Sequence, residues 1–305
     1  MIKKFLSKVF RLGRDSAAVL MENDPLRMAG ATAFFCTFAL PPIIIIVIRS
    51  LGLFFNRRSI GNQLMAKVIN VIGPESADQV LNTIRSVRTL EQNTPLAILS
   101  FIFLLFVATT LFKVINNSLN QVWDIRIVTR RKIRGVFTSR FHAVVLILLV
   151  GLLFLLVLLF DAAQAILGKY VLEIAPSAAF YFNNIFSQGI SVVVVTVWFF
   201  VLFIYIPDGR PSWQDGLAGA LLTSVLFNVG KLVLRALLGN IGKLYGASGA
   251  IVFLLLFVFY SSLMLYFGAA FIKVWSNYRR RSIKPMPYAE KYYLAPVSAG
   301  KEAKT

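Results

Sequence analysis

The chain has 305 residues, 58% of them hydrophobic and only 15% charged, with a formal net charge of +19. Soluble domains run nearer 25% charged, so charge has been expelled from long apolar segments and a soluble globular fold is excluded. The single cysteine, Cys36, excludes an intramolecular disulfide.

Residues 1–24 read as a basic amphipathic segment. Ile2, Phe5, Leu6, Val9 and Gly13 share one helical face, with Lys3, Lys4, Lys8, Arg11 and Arg14 around the rest. This pattern predicts a helix lying on an anionic leaflet. Asn23-Asp24-Pro25 then ends it, with Asp24 as N-cap and Pro25 at the first position of the next helix. No cleavable signal is expected, because the first apolar run starts late and is too long for one.

A membrane domain follows over 25–278. A bilayer core about 30 Å thick needs about 20 apolar residues per helix. Six runs qualify, approximately Ala29–Phe55, Pro95–Leu119, Phe141–Phe160, Ile185–Ile206, Trp213–Leu238 and Ala247–Trp275. The expected fold is all-α and polytopic, with six transmembrane helices. Sorted by side, the connecting segments carry 20 Lys and Arg on one face and 7 on the other. The positive-inside rule then places both termini in the cytoplasm. That distribution makes the basic excess an orientation signal, and nucleic acid is not an expected partner.

The first run, AFFCTFALPPIIIIVI, carries Pro41 and Pro42 at its midpoint. Proline removes a donor and its ring strikes the carbonyl four residues back, so the carbonyls of Thr37 and Phe38 lose their partners. In lipid such losses must be met internally. Thr32, Cys36 and Thr37 are local candidates, and the patch Lys113, Asn116, Asn117 and Asn120 in KVINNSLNQVWD is a more distant one. The break either shapes packing or opens a substrate site at mid-bilayer, as in many transporters.

Loop 56–93 faces the periplasm in this topology, and its two apolar stripes suit short amphipathic helices over the outer mouth. The basic loop with Arg130, Arg131, Lys132 and Arg134 belongs near cytoplasmic headgroups, and Trp123 is placed to anchor the interface. In RPSWQDG, Ser212 and Asp215 form a variant capping box at the start of the fifth run. In LFNVGKLVLRALL, Asn228, Lys231 and Arg235 fall on one face. Two readings stand: the cations snorkel to outer headgroups, or the face lines an anion-accepting cavity. Residues 279–305 read as a disordered basic cytoplasmic tail.

The segments YIPDGRPSWQDGLAGALLTSVLFNVGKLVL and YGASGAIVFLLLFVFYSSLMLYFGAAF resemble the closing region of the YihY/BrkB family of bacterial inner-membrane proteins. DPLRMAGATAFFCTFALPPIIIIVIRSLG resembles that family's first span, and the likeness extends over about residues 15–280. The resemblance implies a bacterial inner-membrane location and six spans with both ends inside. It carries over Pro41 and Pro42, and Gly246, Gly249 and Gly268 as positions of helix shape and close packing. Members have been linked to serum resistance, to envelope lipid traffic and, through an old label, to ribonuclease activity.

Enzyme chemistry is not expected. Gly246-Ala247-Ser248-Gly249 is similar to the GxSG of rhomboid proteases, but a serine nucleophile needs a base within reach. The only histidine, His142, starts the third run on the opposite side of the bilayer. A metal nuclease needs clustered carboxylates or histidines, and Asp124, Asp161, Glu173, Asp208 and Asp215 sit singly near span ends. Neither metal nor cofactor is expected. The sequence points to a transporter or lipid-handling protein for an anionic amphiphile, lined by Asn228, Lys231, Arg235, Thr37, Phe38, Pro41, Pro42, Asn116 and Asn117. The alternative is a non-transporting structural or assembly protein of the envelope. Anionic membrane lipids are the expected partners, and the sequence is compatible with a homo-oligomer.

Overall fold

The computed structural model describes residues 2–51, 66, 69, 94–128, 176–238 and 247–293. The expected third span, the basic loop 130–134 and all of loop 56–93 except Ala66 and Ile69 lie outside the described residues. Six helices are described: α1 (Ile2–Met21), α2 (Pro25–Leu51), α3 (Thr94–Val122), α4 (Pro176–Tyr205), α5 (Trp213–Leu238) and α6 (Ala247–Tyr278). Four short strands accompany them: β1 (Ile125–Ile127), β2 (Gly209–Arg210), β3 (Lys284–Pro285) and β4 (Ala289–Lys291). Among the described residues, the helical stretches Trp213–Leu234 and Val252–Tyr278 are long and apolar enough to cross a bilayer.

Helix starts follow the local chemistry. Pro25 and Pro176 each occupy a first helical position, where the missing N–H is no loss. Asp24 does not cap as a side chain would. Its φ is 54°, its carboxylate is 75% exposed, and it turns the chain between α1 and α2 while its carbonyl accepts the Met28 N–H. Ser212 does begin α5: its carbonyl accepts from Gly216, and its Oγ from the Asp215 N–H at 3.3 Å. α6 closes in a Schellman motif, in which Arg281 N–H donates to Ser276 O and Arg280 N–H to Asn277 O, with Arg280 at φ 54°.

The backbone of α2 remains helical through Pro41 and Pro42. The hydroxyls of Thr32 and Thr37 bond back to Met28 O and Ala33 O, both at 2.9 Å, and Thr32 also meets Tyr266 of α6. Neither hydroxyl serves a carbonyl that the prolines release: Ala33 O lies about one turn before Thr37, and Met28 O more than two turns before it.

α6 sits at the centre, packed against α1, α2, α3 and α5, while α5 also packs on α4. The core joins Leu119, Val122 and Trp123 of the α3 end to Phe199 and Phe203 of α4 and to Leu265, Tyr266, Ala269 and Ile272 of α6. Close approach needs Gly268, where a Cβ would collide with the Thr223 side chain and press on Phe203. Outward faces are apolar: Leu217, Leu221, Val225, Val229 and Leu232 of α5 are exposed. An apolar exterior of this kind suits lipid as solvent.

Two expectations are corrected here. α1 is more than a helix resting on a leaflet, since Leu12, Ser16 and Leu20 are buried along one face and α1 packs on α6. Residues 279–293 of the expected disordered tail are ordered: β3 pairs antiparallel with β2, and β4 with β1 in the register Ile125↔Lys291, Arg126↔Glu290 and Ile127↔Ala289. The loops after α3 and α4 offer open backbone edges, and the tail supplies the partners. The resulting collar closes one end of the helix bundle.

Candidate functional site

Two polar regions stand out against the apolar framework. The first lies in the collar, centred on Asp208. Its carboxylate accepts from Asn120 Nδ2 at 2.8 Å on one oxygen and from the Tyr288 hydroxyl at 2.8 Å on the other. Its N–H donates to Asn120 Oδ1 at 2.8 Å, and its carbonyl accepts from Met286 N–H at 2.9 Å. Asn116 donates to the carbonyl of Ile206 at 2.6 Å, and Arg210 to that of Ile204 at 2.8 Å, so side chains satisfy the open carbonyls at the end of α4.

Further charged groups tighten the same end. Lys273 meets Asp124 at 2.7 Å. Asp215, fully buried, accepts from Ser212 Oγ at 2.6 Å and faces Arg279 at 3.7 Å. Arg281 reaches Gln214 at 2.8 Å and Ser212 at 3.3 Å. Burial, and then the nearby Asp124 carboxylate, hold the Tyr292 phenol above its ordinary value. Trp123, expected as an interfacial anchor, is 1% exposed and donates its indole N–H to Ala269 O at 2.9 Å. Gly209 helps make room for the ring, since a Cβ there would lie 3.2 Å from it.

The second region is a seam between α4 and α5, within the apolar length of α5. Ser224 Oγ donates to Val192 O at 2.9 Å, and Asn228 Nδ2 donates to Ser224 O at 2.9 Å. Ser191 Oγ reaches Asn228 Oδ1 only at 3.5 Å, the outer limit of a hydrogen bond. Asn228 and Lys231 are both half-buried. At 1.5 Å per residue, Asn228 lies roughly 22 Å from the start of α5.

The residues expected to line one cavity are thus distributed over different helix pairs. Asn228 belongs to the α4/α5 seam, half-buried Lys231 follows three residues along α5, and Arg235 continues the helix, its side chain lying outside the described residues. Asn116 is engaged in the collar while its neighbour Asn117 is exposed. Thr37 is half-buried on α2, and Phe38 is 49% exposed, edge-on to Phe34 at 5.0 Å. Pro41 and Pro42 are described by their helical backbone alone. Gly249 is in the first turn of α6, and Gly246 lies outside the described residues.

Asn120, Asp208 and Tyr288 were not singled out by sequence reasoning as one site. The signal available was the repeated Asn of KVINNSLN followed, after a long interval, by the lone acid of YIPDG.

A mostly helical chain with an apolar exterior defines a membrane protein. Residues 17–291 match the family described as Virulence factor BrkB, and the chain belongs to that family. It is 24% identical over 274 residues to a UPF0761 membrane protein of Azotobacter vinelandii, covering 88% of this chain and 64% of that relative. It therefore spans less than two thirds of that relative's length. A UPF0761 membrane protein of Vibrio vulnificus is 22% identical over 259 residues, covering 82% of this chain and 77% of the relative. One from Pseudoalteromonas atlantica is 25% identical over 251 residues, with coverage of 79% and 78%. No solved structure matches the chain.

Proposed function

We propose that this protein is a multi-pass protein of the bacterial inner membrane, with six spans and both termini cytoplasmic, that moves or handles an anionic amphiphile along the α4/α5 seam. The observation that carries the reading is the loose polar contact at Asn228 within an apolar helix, next to half-buried Lys231. Polar groups at membrane depth are costly and by default functional. The Ser191 hydroxyl, held to Asn228 Oδ1 at only 3.5 Å, is a donor that exchanges partners at little cost, which a passing anionic headgroup requires. The reading is non-enzymatic and invokes no cofactor, because the chain offers one histidine and thirteen acids to all possible chemistry.

The test is reconstitution into liposomes carrying fluorescent phosphatidylglycerol, with an impermeant quencher added outside. Faster transbilayer exchange than in protein-free liposomes, slowed in Lys231→Gln/Arg235→Gln, is the expected result. Exchange at the protein-free rate would sink the transport reading. The topology is tested separately, by single cysteines at Ser7 and Tyr293 in a Cys36→Ser background, both expected to react only from the cytoplasmic side.

A second reading, a structural or assembly protein of the envelope, is favoured by the collar. There Asn116, placed among the candidate lining residues, is committed to the end of α4. Ordinary exchange rates together with an envelope defect on deletion would select it.

A further inference from the structure

A cavity of about 620 Å³ lies between α1 and the last turns of α6, and none of its lining residues takes part in the bonds around Asp208 or Asn228. Ser7, Lys8, Arg11, Leu12 and Asp15 line it from α1, and Val274 and Tyr278 from α6. Three features mark it as a built site.

Lys8 is positioned rather than free to wander. Its ammonium lies 4.5 Å from the centre of the Tyr278 ring and 5.7 Å from that of Trp275. Those two rings stack on each other at 6.1 Å, and Trp275 stacks on Phe271 at 5.9 Å, so the aromatic base is rigid. Cation–π contact holds an ammonium in place while leaving its N–H donors available for an anion.

The charge in the cavity is positive where it is not already offset. Lys8 and Arg11 face one acid, Asp15, which is itself 3.5 Å from Arg14 on the same helix. Arg279 of α6 lies 5.9 Å from the Trp275 ring, but its charge is engaged with Asp215 at 3.7 Å, so Lys8 and Arg11 carry the positive charge of the cavity. A point-charge ammonium beside a planar guanidinium suits a phosphate.

The cavity also sits at a defined depth. Val252–Tyr278 is the apolar stretch of α6 able to cross a bilayer, and Trp275 and Tyr278 fall in its last turn. Aromatic residues at the end of a spanning helix mark headgroup level. Leu12 and Val274 supply an apolar wall beside the cations, which a glycerol backbone and the start of an acyl chain would cover and a soluble phosphate would not.

We infer that the α1/α6 cavity binds the headgroup phosphate of an anionic glycerophospholipid, held by Lys8 and Arg11. The site is independent of the transport reading, since a structural membrane protein would hold a lipid there equally well.

The experiment is native mass spectrometry of the full detergent-solubilised chain, titrated in turn with phosphatidylglycerol, phosphatidylcholine and glycerol 3-phosphate. The expected result is one phosphatidylglycerol retained in preference to phosphatidylcholine. Its apparent affinity should fall about tenfold in Lys8→Gln/Arg11→Gln, as the loss of two charge-assisted contacts implies. Arg126→Gln/Lys284→Gln, which removes the same charge from the collar, should retain the lipid unchanged. Equal retention by the two variants, or no preference for phosphatidylglycerol, would overturn the site. Glycerol 3-phosphate displacing the lipid at equal concentration would make this a soluble-phosphate site and overturn the lipid assignment. Should the double variant fail to fold, Tyr278→Leu decides. A loss of about threefold is expected from the missing aromatic base, and an unchanged affinity rejects the inference.

Discussion

The collar and the α4/α5 seam are both polar intrusions into an apolar chain, yet they are built differently. In the collar, Asp208 and Asn120 are almost fully buried and their mutual bonds are 2.8 Å long. Each partner comes from a different element, so the bonds tie together α3, the loop after α4 and the C-terminal segment. In the seam, Asn228 is half-buried, one of its bonds falls within its own helix, and its bond across to α4 stretches to 3.5 Å. Short, fully shared bonds specify a single arrangement, because any rearrangement strands a buried polar atom. Long, partly exposed ones leave room for another ligand. The contrast separates structural polarity from the polarity a transport site needs.

The largest effect should come from breaking the collar. Asp208→Leu removes the buried acceptor shared by Asn120 Nδ2 and the Tyr288 hydroxyl, leaves that Nδ2 only its 3.2 Å bond to Asn116, and should destabilise the protein by about 3 kcal/mol. Thermal unfolding followed by dye reaction at Cys36 would show the drop, together with new proteolysis around Met286. A tight collar that shrugged off this change would erase the distinction drawn above. Gly268→Ala should follow at about 2 kcal/mol, because its Cβ would enter the space of Thr223 and Phe203 on neighbouring helices. The same unfolding assay reads it, and an unchanged midpoint would mean that α5 and α6 separate freely.

How much of this was legible in the sequence follows from the range of each interaction. α2 starts at Pro25 and α5 at Trp213 as read, because capping and proline chemistry act within three or four residues. Ser212 with Asp215 was visible for the same reason, although the hydroxyl donates to the carboxylate. The collar was not visible, since β4 pairs with a strand 164 residues earlier and neither segment has a period of its own. Pro285 and Pro287 in the tail read as disorder, whereas a two-residue strand such as β3 tolerates proline at its end. Trp123 read as an anchor because an aromatic residue near a span end commonly is one. Its buried indole N–H meets a carbonyl of α6 146 positions later, and its ring lies against Gly209, which no local pattern announces. In the candidate site, the shared face of Asn228 and Lys231 was legible from helical spacing, but the partner serine on α4 was not.

Trp123→Phe tests the collar more gently. It keeps most of the ring and deletes the donor to Ala269 O, so the expected loss is about 1 kcal/mol. Unfolding midpoints of the variant and the wild type measure it, and no change would show that the indole bond adds nothing beyond packing.

The smallest expected change in stability is at the seam, and it discriminates most sharply between the two functional readings. Asn228→Leu removes an amide whose cross-helix partner sits at 3.5 Å, and replaces it with a side chain that apolar neighbours accept. If the seam is a path for an anionic headgroup, the folded state loses little, within about 0.5 kcal/mol, and lipid exchange slows. If the seam is structural glue, removing a polar contact between membrane helices should lower stability by about 0.6 to 1.7 kcal/mol and leave exchange untouched. Thermal unfolding and the liposome assay on the same preparation separate these outcomes. A variant that loses stability and keeps exchange would assign the seam to the same structural class as the collar.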